Sequence, residues 1–469
     1  MTTMKWLILA AATILAAAPA AGADRNVSSS ESEERTRLEL TVYNSDLALV
    51  RETRTVKLPD GESWLEFRGV PARIDPRSLI VDQSDGRPFR LIEQSYEFDL
   101  MSRAKILEKY VGRELTWIQE DGRRLTGKLL GTAEGPVYEV DGEIVFEVPG
   151  RLALSSLPEN LRARPTMVWR LDADREGERA IDVSYLTGGL SWSADYVFQL
   201  DDQGDKADVQ AWVTVQNRSG TTFDDAGLML LAGDVNRVQQ THGRGSPKPE
   251  LMAMATFDGN MAQESVGDYH LYTVPGHTSL RDQEIKQVSL FTSSGVPVQK
   301  RYRLESGNMG RFFGRGGERG TEKIAVMHEV KNTEDDHLGV PLPAGIVRIY
   351  GTSSSGARQL LGESQIDHTP RDETLHLQTG YAFDLVADRK RMEFRSMGER
   401  THESVWEIEL RNRSDHDVVI EVLEAMPGEW TVLETSHDFA KLEAFQARFD
   451  VSVPANGISV LRYRIRTSN

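Results

Sequence analysis

The sequence predicts an all-β protein that combines several antiparallel β-sandwiches with one small SH3- or Sm-like barrel preceded by a helix. Apolar and polar residues alternate in short runs along most of the 469 residues, which is the pattern of half-buried strands. Turn residues separate these runs at intervals of about ten residues. Only residues 99–112 place apolar side chains at helical spacing. At roughly 100–200 residues per domain, we expect about three or four domains.

Residues 1–23 have the pattern of a secretory signal peptide. Lys5 supplies the positive charge, the apolar run 6–18 is too short to span a bilayer, and residues 21–23 are small enough for cleavage. No later stretch is apolar for long enough to cross a membrane. We therefore expect export to the bacterial periplasm or the outside, with no membrane span after cleavage.

Residues 24–37 are polar and charged, and we expect them to form a disordered tail. From Leu38 apolar and polar residues alternate, and Pro59-Asp60-Gly61 marks a hairpin turn. Further strand patterns continue as far as Phe98. The sequence thus predicts an N-terminal β-domain over residues 38–98.

Residues 99–158 are predicted to form the helix and the small barrel. Asp99 is the expected N-cap of the helix, and Gly112 is expected to close it. Short strand patterns follow, with Asp-Gly turns at 121–122 and 141–142. One face of the helix carries the apolar residues Leu100, Ala104, Leu107 and Val111.

The remaining chain is predicted to be a C-terminal β-sandwich region, with a first part over 159–240 and the remainder over 268–469. Between them, residues 241–267 lack periodicity and are expected to form a mobile loop. Three similar segments of the region carry Asn217, Asn332 or Asn412 at the end of a strand. Because asparagine side chains bond the backbone of their own turns, we interpret this repeat as recurring sandwich hairpins, and not as a repeated binding site.

Composition excludes several classes of protein and of site. The chain has no cysteine, so disulfides, thiolate metal sites, cysteine nucleophiles and lipoprotein lipidation are ruled out. The formal net charge of -17 repels nucleic acid and anionic lipid. We therefore expect no nucleic-acid partner.

The catalytic motifs in the sequence are fragments. Ser102 and Lys105 match the Ser-x-x-Lys pair of penicillin-recognising enzymes, but no Lys-Thr-Gly follows. His328 lies on the same side of a strand as Ile324 and Val326, and we interpret it as a core histidine whose hydrogen bonds are satisfied. The sequence therefore predicts no catalytic residue and no cofactor.

Two segments contain residue types that bind metals. Asp201, Asp202 and Asp205, with Asp208, offer oxygen ligands to calcium but lack the EF-hand order, and a solvated hairpin turn is the preferred interpretation. Exposed thioethers can bind Cu(I), and the predicted mobile loop holds three methionines. A flexible linker is the alternative interpretation of that loop. The three residues are Met252, Met254 and Met261.

Several motifs together resemble one bacterial family. The segment VYNSDLALVRETRTVKLPDGESWLEFRGVPARIDPRSL resembles the N-terminal β-domain of mucoidy-inhibitor-A-like exported proteins. SYLTGGLSWSADYVFQLD and WVTVQNRSGTTFDDAGLMLLAGDVNRV resemble their C-terminal domain of unknown function 4139. The resemblance covers residues 38–98 and 165–468, without the long coiled coil of that family. It implies β-domains and an exported protein, and it supplies no activity or catalytic residues.

These observations favour a non-catalytic envelope protein that binds another protein or a glycan through loops or sheet edges. A hydrolase with a carboxylate or serine site assembled between domains is one alternative. Copper handling through the methionine loop is another. The tryptophans in strand patterns are expected to be core residues and not a sugar-stacking surface. They are Trp64, Trp117, Trp169, Trp192, Trp212 and Trp406.

Overall fold

The computed structural model confirms the all-β class, because 67% of it is strand and 4% is helix. None of its helices is both long and apolar enough to cross a bilayer, within the part of the chain that is described. The predicted signal peptide lies outside that part. The structure describes residues 26–83, 88–158, 161–233, 235, 261–267, 269–306, 321–398, 400–426 and 428–468.

Among the described residues, the secondary structure consists of strands, one α-helix and two short 3-10 helices, Ser32–Glu34 and Pro76–Ser78. The elements before residue 154 are β1 (Val27–Ser30), β2 (Arg35–Tyr43), β3 (Ala48–Leu58), β4 (Gly61–Arg68), β5 (Ile80–Gln83), β6 (Phe89–Glu97), α1 (Arg103–Tyr110), β7 (Glu114–Ile118), β8 (Arg124–Gly131), β9 (Val137–Val140), β10 (Glu143–Val145) and β11 (Arg151–Ala153). Those up to residue 305 are β12 (Thr166–Ala173), β13 (Gly177–Thr187), β14 (Leu190–Leu200), β15 (Lys206–Asn217), β16 (Phe223–Ala232), β17 (Ala262–Val266), β18 (Tyr269–Leu280), β19 (Glu284–Pro297) and β20 (Gln299–Glu305). The last are β21 (Thr321–Lys331), β22 (Gly345–Thr352), β23 (Arg358–Ile366), β24 (Thr374–Ser396), β25 (Thr401–Asn412), β26 (Val418–Ala425), β27 (Glu429–Thr435), β28 (Phe439–Glu443), β29 (Gln446–Val453) and β30 (Ile458–Ser468).

The chain divides into two compact units, each assembled from separate stretches of sequence. The first unit contains the described residues up to 36, those of 53–70 and those of 81–183. The second contains 37–52, 71–80 and the described residues from 184 onward. The consecutive domain boundaries expected from the sequence stay a prediction.

The four-stranded sheet of the first unit has the strand order β1-β4-β12-β6. Trp169 is buried in it and stacks on Phe67, with ring centroids 5.0 Å apart. The sheet also corrects the predicted disordered tail, because residues 27–30 run parallel to β4, with Val27 opposite Trp64. Composition does not reveal such a strand, because a Ser-rich segment can be held by backbone pairing without an apolar face.

The other sheet of the first unit, here called the small sheet, has the order β10-β9-β8-β7-β11 and follows α1, as the sequence predicts. Its core contains Leu107 of the helix and the edge-to-face pair Trp117 and Tyr138, 4.9 Å apart. The predicted cap is wrong, because Ser102 is the N-cap and its Oγ accepts a hydrogen bond from the Lys105 N–H (3.2 Å). Asp99 instead pairs with Lys109 at 3.1 Å.

The second unit contains three sheets. In one of them, the strands with residues in this unit include β17-β18-β16-β2-β3-β13, in that order. To it β3 contributes residues 48–52 and β13 residues 184–187. The second, called the five-stranded sheet, has the order β19-β15-β14-β22-β23. The third, called the nine-stranded sheet, has the order β27-β30-β25-β24-β21-β20-β26-β29-β28. Its core includes Ile324, Ile408, Ile420, Phe449 and Leu461.

The end of the predicted mobile loop is a strand. Residues 262–266 form β17 and pair with β18, Ala262 lying opposite Thr273. The sequence lacks alternation there because none of the five side chains is buried. Residues 241–260 of the predicted loop lie outside the described residues.

The asparagine repeat is confirmed as a structural motif. Asn217, Asn332 and Asn412 are each 0% exposed, and the side chain of each bonds backbone groups. Asn412 Nδ2 donates to the carbonyl oxygen of His416 (2.8 Å), four residues further along the chain, as expected for an asparagine that closes its own turn.

Candidate ligand-binding cleft

A cleft of about 480 Å³ lies within the second unit, between the five-stranded and the nine-stranded sheets. We call it the inter-sheet cleft. The wall from the nine-stranded sheet consists of Lys300, Val326, His328, Thr379, Gly380 and Tyr381. The wall from the five-stranded sheet consists of residues 200–204, 351–353, Gln359 and Leu361.

A β-bulge shapes the wall from the nine-stranded sheet, which we call the first wall. Val326 of β21 lies opposite Gly380 of β24, but the next residue, Met327, lies opposite Gln378, so Thr379 is an extra residue on β24. Such bulges bend a strand and redirect its side chains. Gly362 of β23 fits closely here, because a Cβ on it would lie 2.1 Å from the Thr379 carbonyl oxygen. Glycine therefore lets the two sheets meet beside the cleft.

His328 is the buried polar residue of this wall. It is only 3% exposed, and its Nδ1 has no hydrogen-bond partner among the described residues. Burial, together with the positive charge of Lys300, lowers the pKa of His328 to about 4. The imidazole is therefore neutral at neutral pH. The predicted burial is confirmed, but the predicted satisfaction of its hydrogen bonds is wrong.

Two lysines of this part of the nine-stranded sheet lie close to aromatic rings. Lys300 is the cross-strand partner of His328, and its Nζ lies 5.1 Å from the ring centroid of Tyr302. Lys323 Nζ lies 5.5 Å from the ring centroid of Tyr381, which is 57% exposed. Neither lysine forms an ion pair with any residue that the structure describes. Lys300, which lines the cleft, is therefore available to a ligand.

The opposite wall is rich in carboxylate, amide and hydroxyl groups. Asp201 Oδ1 accepts hydrogen bonds from the backbone of Gly204 (2.7 Å) and Asp205 (3.2 Å), which confirms the predicted hairpin turn between β14 and β15. Asp202 and Gln203 are exposed in the same turn. Among the described residues, no group of three or more His, Asp or Glu side chains is placed to hold a metal ion.

The structure does not assemble the other sequence candidates into a site. Ser102 Oγ caps the helix, and Lys105 Nζ bonds Glu108 at 2.9 Å, so the pair is engaged elsewhere. Met261 is 3% exposed. Met252 and Met254 lie outside the described residues, and the copper hypothesis stays a prediction.

A second cluster of buried charges lies in the nine-stranded sheet, and its members pair with one another. Arg389 donates to Glu424 and, at 2.8 Å, to Glu322. The Tyr463 hydroxyl donates to Glu424 at 2.7 Å. Since these groups satisfy each other, the cluster offers a ligand no unpaired charge.

Sequence reasoning identified His328 and the Asp201 turn but missed that they face one cleft. Lys300 and His328 become neighbours only through the pairing of β20 with β21. Gly362 and Gly380 lie within strand patterns, where a glycine can signal a bulge or a close approach of two backbones. No family model matches the chain, and no curated protein matches it.

Proposed function

We propose that the protein is a non-catalytic, exported envelope protein that binds a polar ligand in the inter-sheet cleft. We also propose its membership of the group defined by the domain of unknown function 4139. Export and the family rest on the N-terminal pattern and on the motifs quoted above. The binding function rests on one observation, the buried His328 with an unpartnered Nδ1 in the wall of a cleft.

The energetic argument concerns the free nitrogen. A buried polar atom without a partner destabilises a protein by about 1–3 kcal/mol. Native proteins contain few such atoms, and they tend to have a functional reason. A ligand that bonds Nδ1 of His328 recovers this energy on binding.

The cleft has the dimensions and chemistry of a binding site. Its volume of about 480 Å³ falls within the roughly 300–1,000 Å³ typical of small-ligand sites. Donors, acceptors and one exposed aromatic ring converge on it. The walls thus offer a ligand both orientation and apolar contact.

The geometry around His328 favours binding over nucleophilic catalysis. A catalytic nucleophile requires a base within hydrogen-bond reach. His328 Nδ1 contacts no hydroxyl of the residues that the structure describes. The imidazole therefore does not activate a serine or threonine through this nitrogen.

The test uses the mature chain on glycan and peptide arrays, with two pairs of variants. Lys300→Met and Tyr381→Ala change the cleft. Lys441→Met removes a lysine that also stacks on an aromatic ring, Trp430, at 4.8 Å. Phe445→Ala removes a ring that is 57% exposed, like that of Tyr381. We expect array binding that falls about tenfold in the cleft variants and is unchanged in the controls.

Two results would overturn the proposal. One is binding that the cleft variants and controls affect equally, or no binding to either array. The other is turnover of a bound probe, detected as a new product by mass spectrometry and lost in His328→Asn. That second result would establish the hydrolase alternative.

A further inference from the structure

We propose that the ligand of the inter-sheet cleft is an acidic glycan whose carboxylate is bound by Lys300 and His328 and whose sugar ring packs on Tyr381. This inference rests on the proposed binding function and names its ligand class. It starts from the separation of charge across the cleft. Lys300 is on one wall, and Asp201 and Asp202 are on the other. Lys323 adds a second positive charge close to Tyr381 of the first wall.

The first wall forms an anion subsite. Lys300 and His328 are cross-strand partners, so their side chains emerge from the same face of the sheet. A carboxylate placed here accepts a hydrogen bond from the exposed ammonium of Lys300. A protonated Nδ1 of the neutral imidazole, which exposes less than 1 Å², donates a second bond once a small movement of the wall uncovers it. Bonds of this kind to an ionised group are roughly twice as strong as neutral ones.

The two lysines stand out against the charge of the chain. Its formal net charge is -17, and many arginines of the second unit are paired with carboxylates, as Arg348 is with Asp195 at 3.0 Å. Lys300 and Lys323 have no such partner among the described residues. An acidic group on the ligand supplies the missing partner, because opposite charges in a partly dehydrated cleft attract more strongly than in water.

The rest of the cleft suits a sugar. The exposed ring of Tyr381 offers an apolar surface for the C–H face of a pyranose. Across from it, Asp202, Gln203 and Gln359 offer acceptors and donors to hydroxyl groups. The aspartate wall, which would repel a second carboxylate, therefore accepts hydrogen bonds from the sugar hydroxyls.

The strand arrangement disfavours an extended peptide on the first wall. A peptide that adds as a strand needs a free sheet edge. β21 pairs with β20 on one side and with β24 on the other along the stretch that holds Val326 and His328. The backbone of β21 is already used there, so recognition of a ligand at His328 relies on side chains.

The experiment is calorimetric titration of the mature chain with matched probes. Galacturonate, glucuronate and mannuronate oligosaccharides are each paired with the methyl ester, which has the same sugars without the charge. Oligoglutamate supplies the charge without a sugar. We expect at least one acidic oligosaccharide to bind about tenfold tighter than its ester, and tighter than oligoglutamate.

Variants then assign the anion subsite. Lys300→Met is expected to remove the difference between acid and ester, and Lys441→Met to keep it. Lys300 is exposed, so this variant is expected to fold. His328→Asn keeps a polar atom at the position of Nδ1, and it is expected to bind more tightly than His328→Leu.

Each contrary result has a distinct meaning. Equal binding of acid and ester, or no binding of any acidic oligosaccharide, overturns the acidic-glycan assignment. The proposed binding function of the cleft still holds in that case if the arrays show binding that the cleft variants reduce. Tighter binding of oligoglutamate than of every sugar overturns it in favour of a peptide. If the arrays also show no cleft-dependent binding, the proposed function itself fails.

Discussion

Asn217 and Asn412 make the same hydrogen bonds at the ends of two different strands. Nδ2 of each donates to three backbone carbonyls, those of Thr221, Leu280 and Arg281 for Asn217 and those of His416, Val453 and Pro454 for Asn412. Oδ1 of each accepts from the N–H and the hydroxyl of the serine two residues later. One side chain thus joins its own turn to a second strand end.

Asn412→Ala is expected to lower the free energy of unfolding by about 3 kcal/mol, because buried backbone groups lose their partners. Asn412→Asp is also expected to destabilise, because a carboxylate keeps the acceptor but lacks the donors. The measurement is urea unfolding at pH 7. Asp415→Ala, in the same turn but with a side chain that is 98% exposed, is the control and is expected to leave stability unchanged. Equal stability of wild type and Asn412→Ala would show that the hydrogen bonds of Asn412 do not contribute to the free energy of unfolding.

Gly362→Ala is expected to destabilise the protein by about 1–3 kcal/mol, because the new methyl group would overlap the Thr379 carbonyl oxygen and force the two sheets apart. Gly380→Ala is the control, since a Cβ there meets nothing within 4 Å. Thermal unfolding of both variants provides the comparison. If the two variants melt at the same temperature, the close approach at Gly362 does not constrain the fold.

Histidine 328 is expected to make stability depend on pH. The unfolded imidazole takes up a proton near pH 6.5, whereas the folded one stays neutral down to about pH 4. The unfolded state therefore binds more protons in this window, so the free energy of unfolding falls as the pH falls from 6.5 to 4. The expected loss by pH 4 is about 3 kcal/mol, and it should be absent from His328→Asn.

Urea unfolding of wild type and His328→Asn at pH 7 and pH 4 measures this difference. A histidine-selective NMR titration checks the pKa directly. Because the charge of Lys300 contributes to the lowering, Lys300→Met is expected to raise the pKa of His328. A pKa of His328 near 6.5 in the wild type would refute the burial argument.

Ser102→Ala is expected to lower the free energy of unfolding by about 1 kcal/mol through loss of the helix cap. Lys105→Met is expected to have a smaller effect, because its ion pair with Glu108 is at the surface. Circular dichroism during urea unfolding detects the difference. A larger loss of stability in Lys105→Met than in Ser102→Ala would mean that Ser102 does not act as the cap.

The sequence predicted what depends on local pattern. Strand alternation gave the all-β class, and the asparagine of each repeat was correctly assigned to its own turn. It missed the strand at residues 27–30 and the strand at 262–266, which pair through backbone groups and carry little apolar signal. The helix cap was misplaced because both Asp99 and Ser102 are good capping residues.

Local sequence patterns do not predict the cleft, because it is formed by strands that are distant in the chain. The apolar neighbours of His328 in the sequence predict a core residue, and the structure confirms that its side chain is buried. The residues that line the cleft with it, such as Thr379 and Asp201, come from other parts of the chain. The spacing of apolar residues along a strand does not indicate which side chains of two different sheets face each other.

The interleaving of the two units has a consequence for how the polypeptide can be made and dissected. The chain passes from one unit to the other at residues 36/37, 52/53, 70/71, 80/81 and 183/184. No single cut releases either unit as a continuous fragment, and ordinary truncation is a poor route to an isolated piece. During synthesis, residues 37–52 and 71–80 emerge long before the C-terminal segment that completes their unit. Residues 39–43 pair with residues 227–231 of β16, so this part of their sheet can form only after β16 has been synthesised.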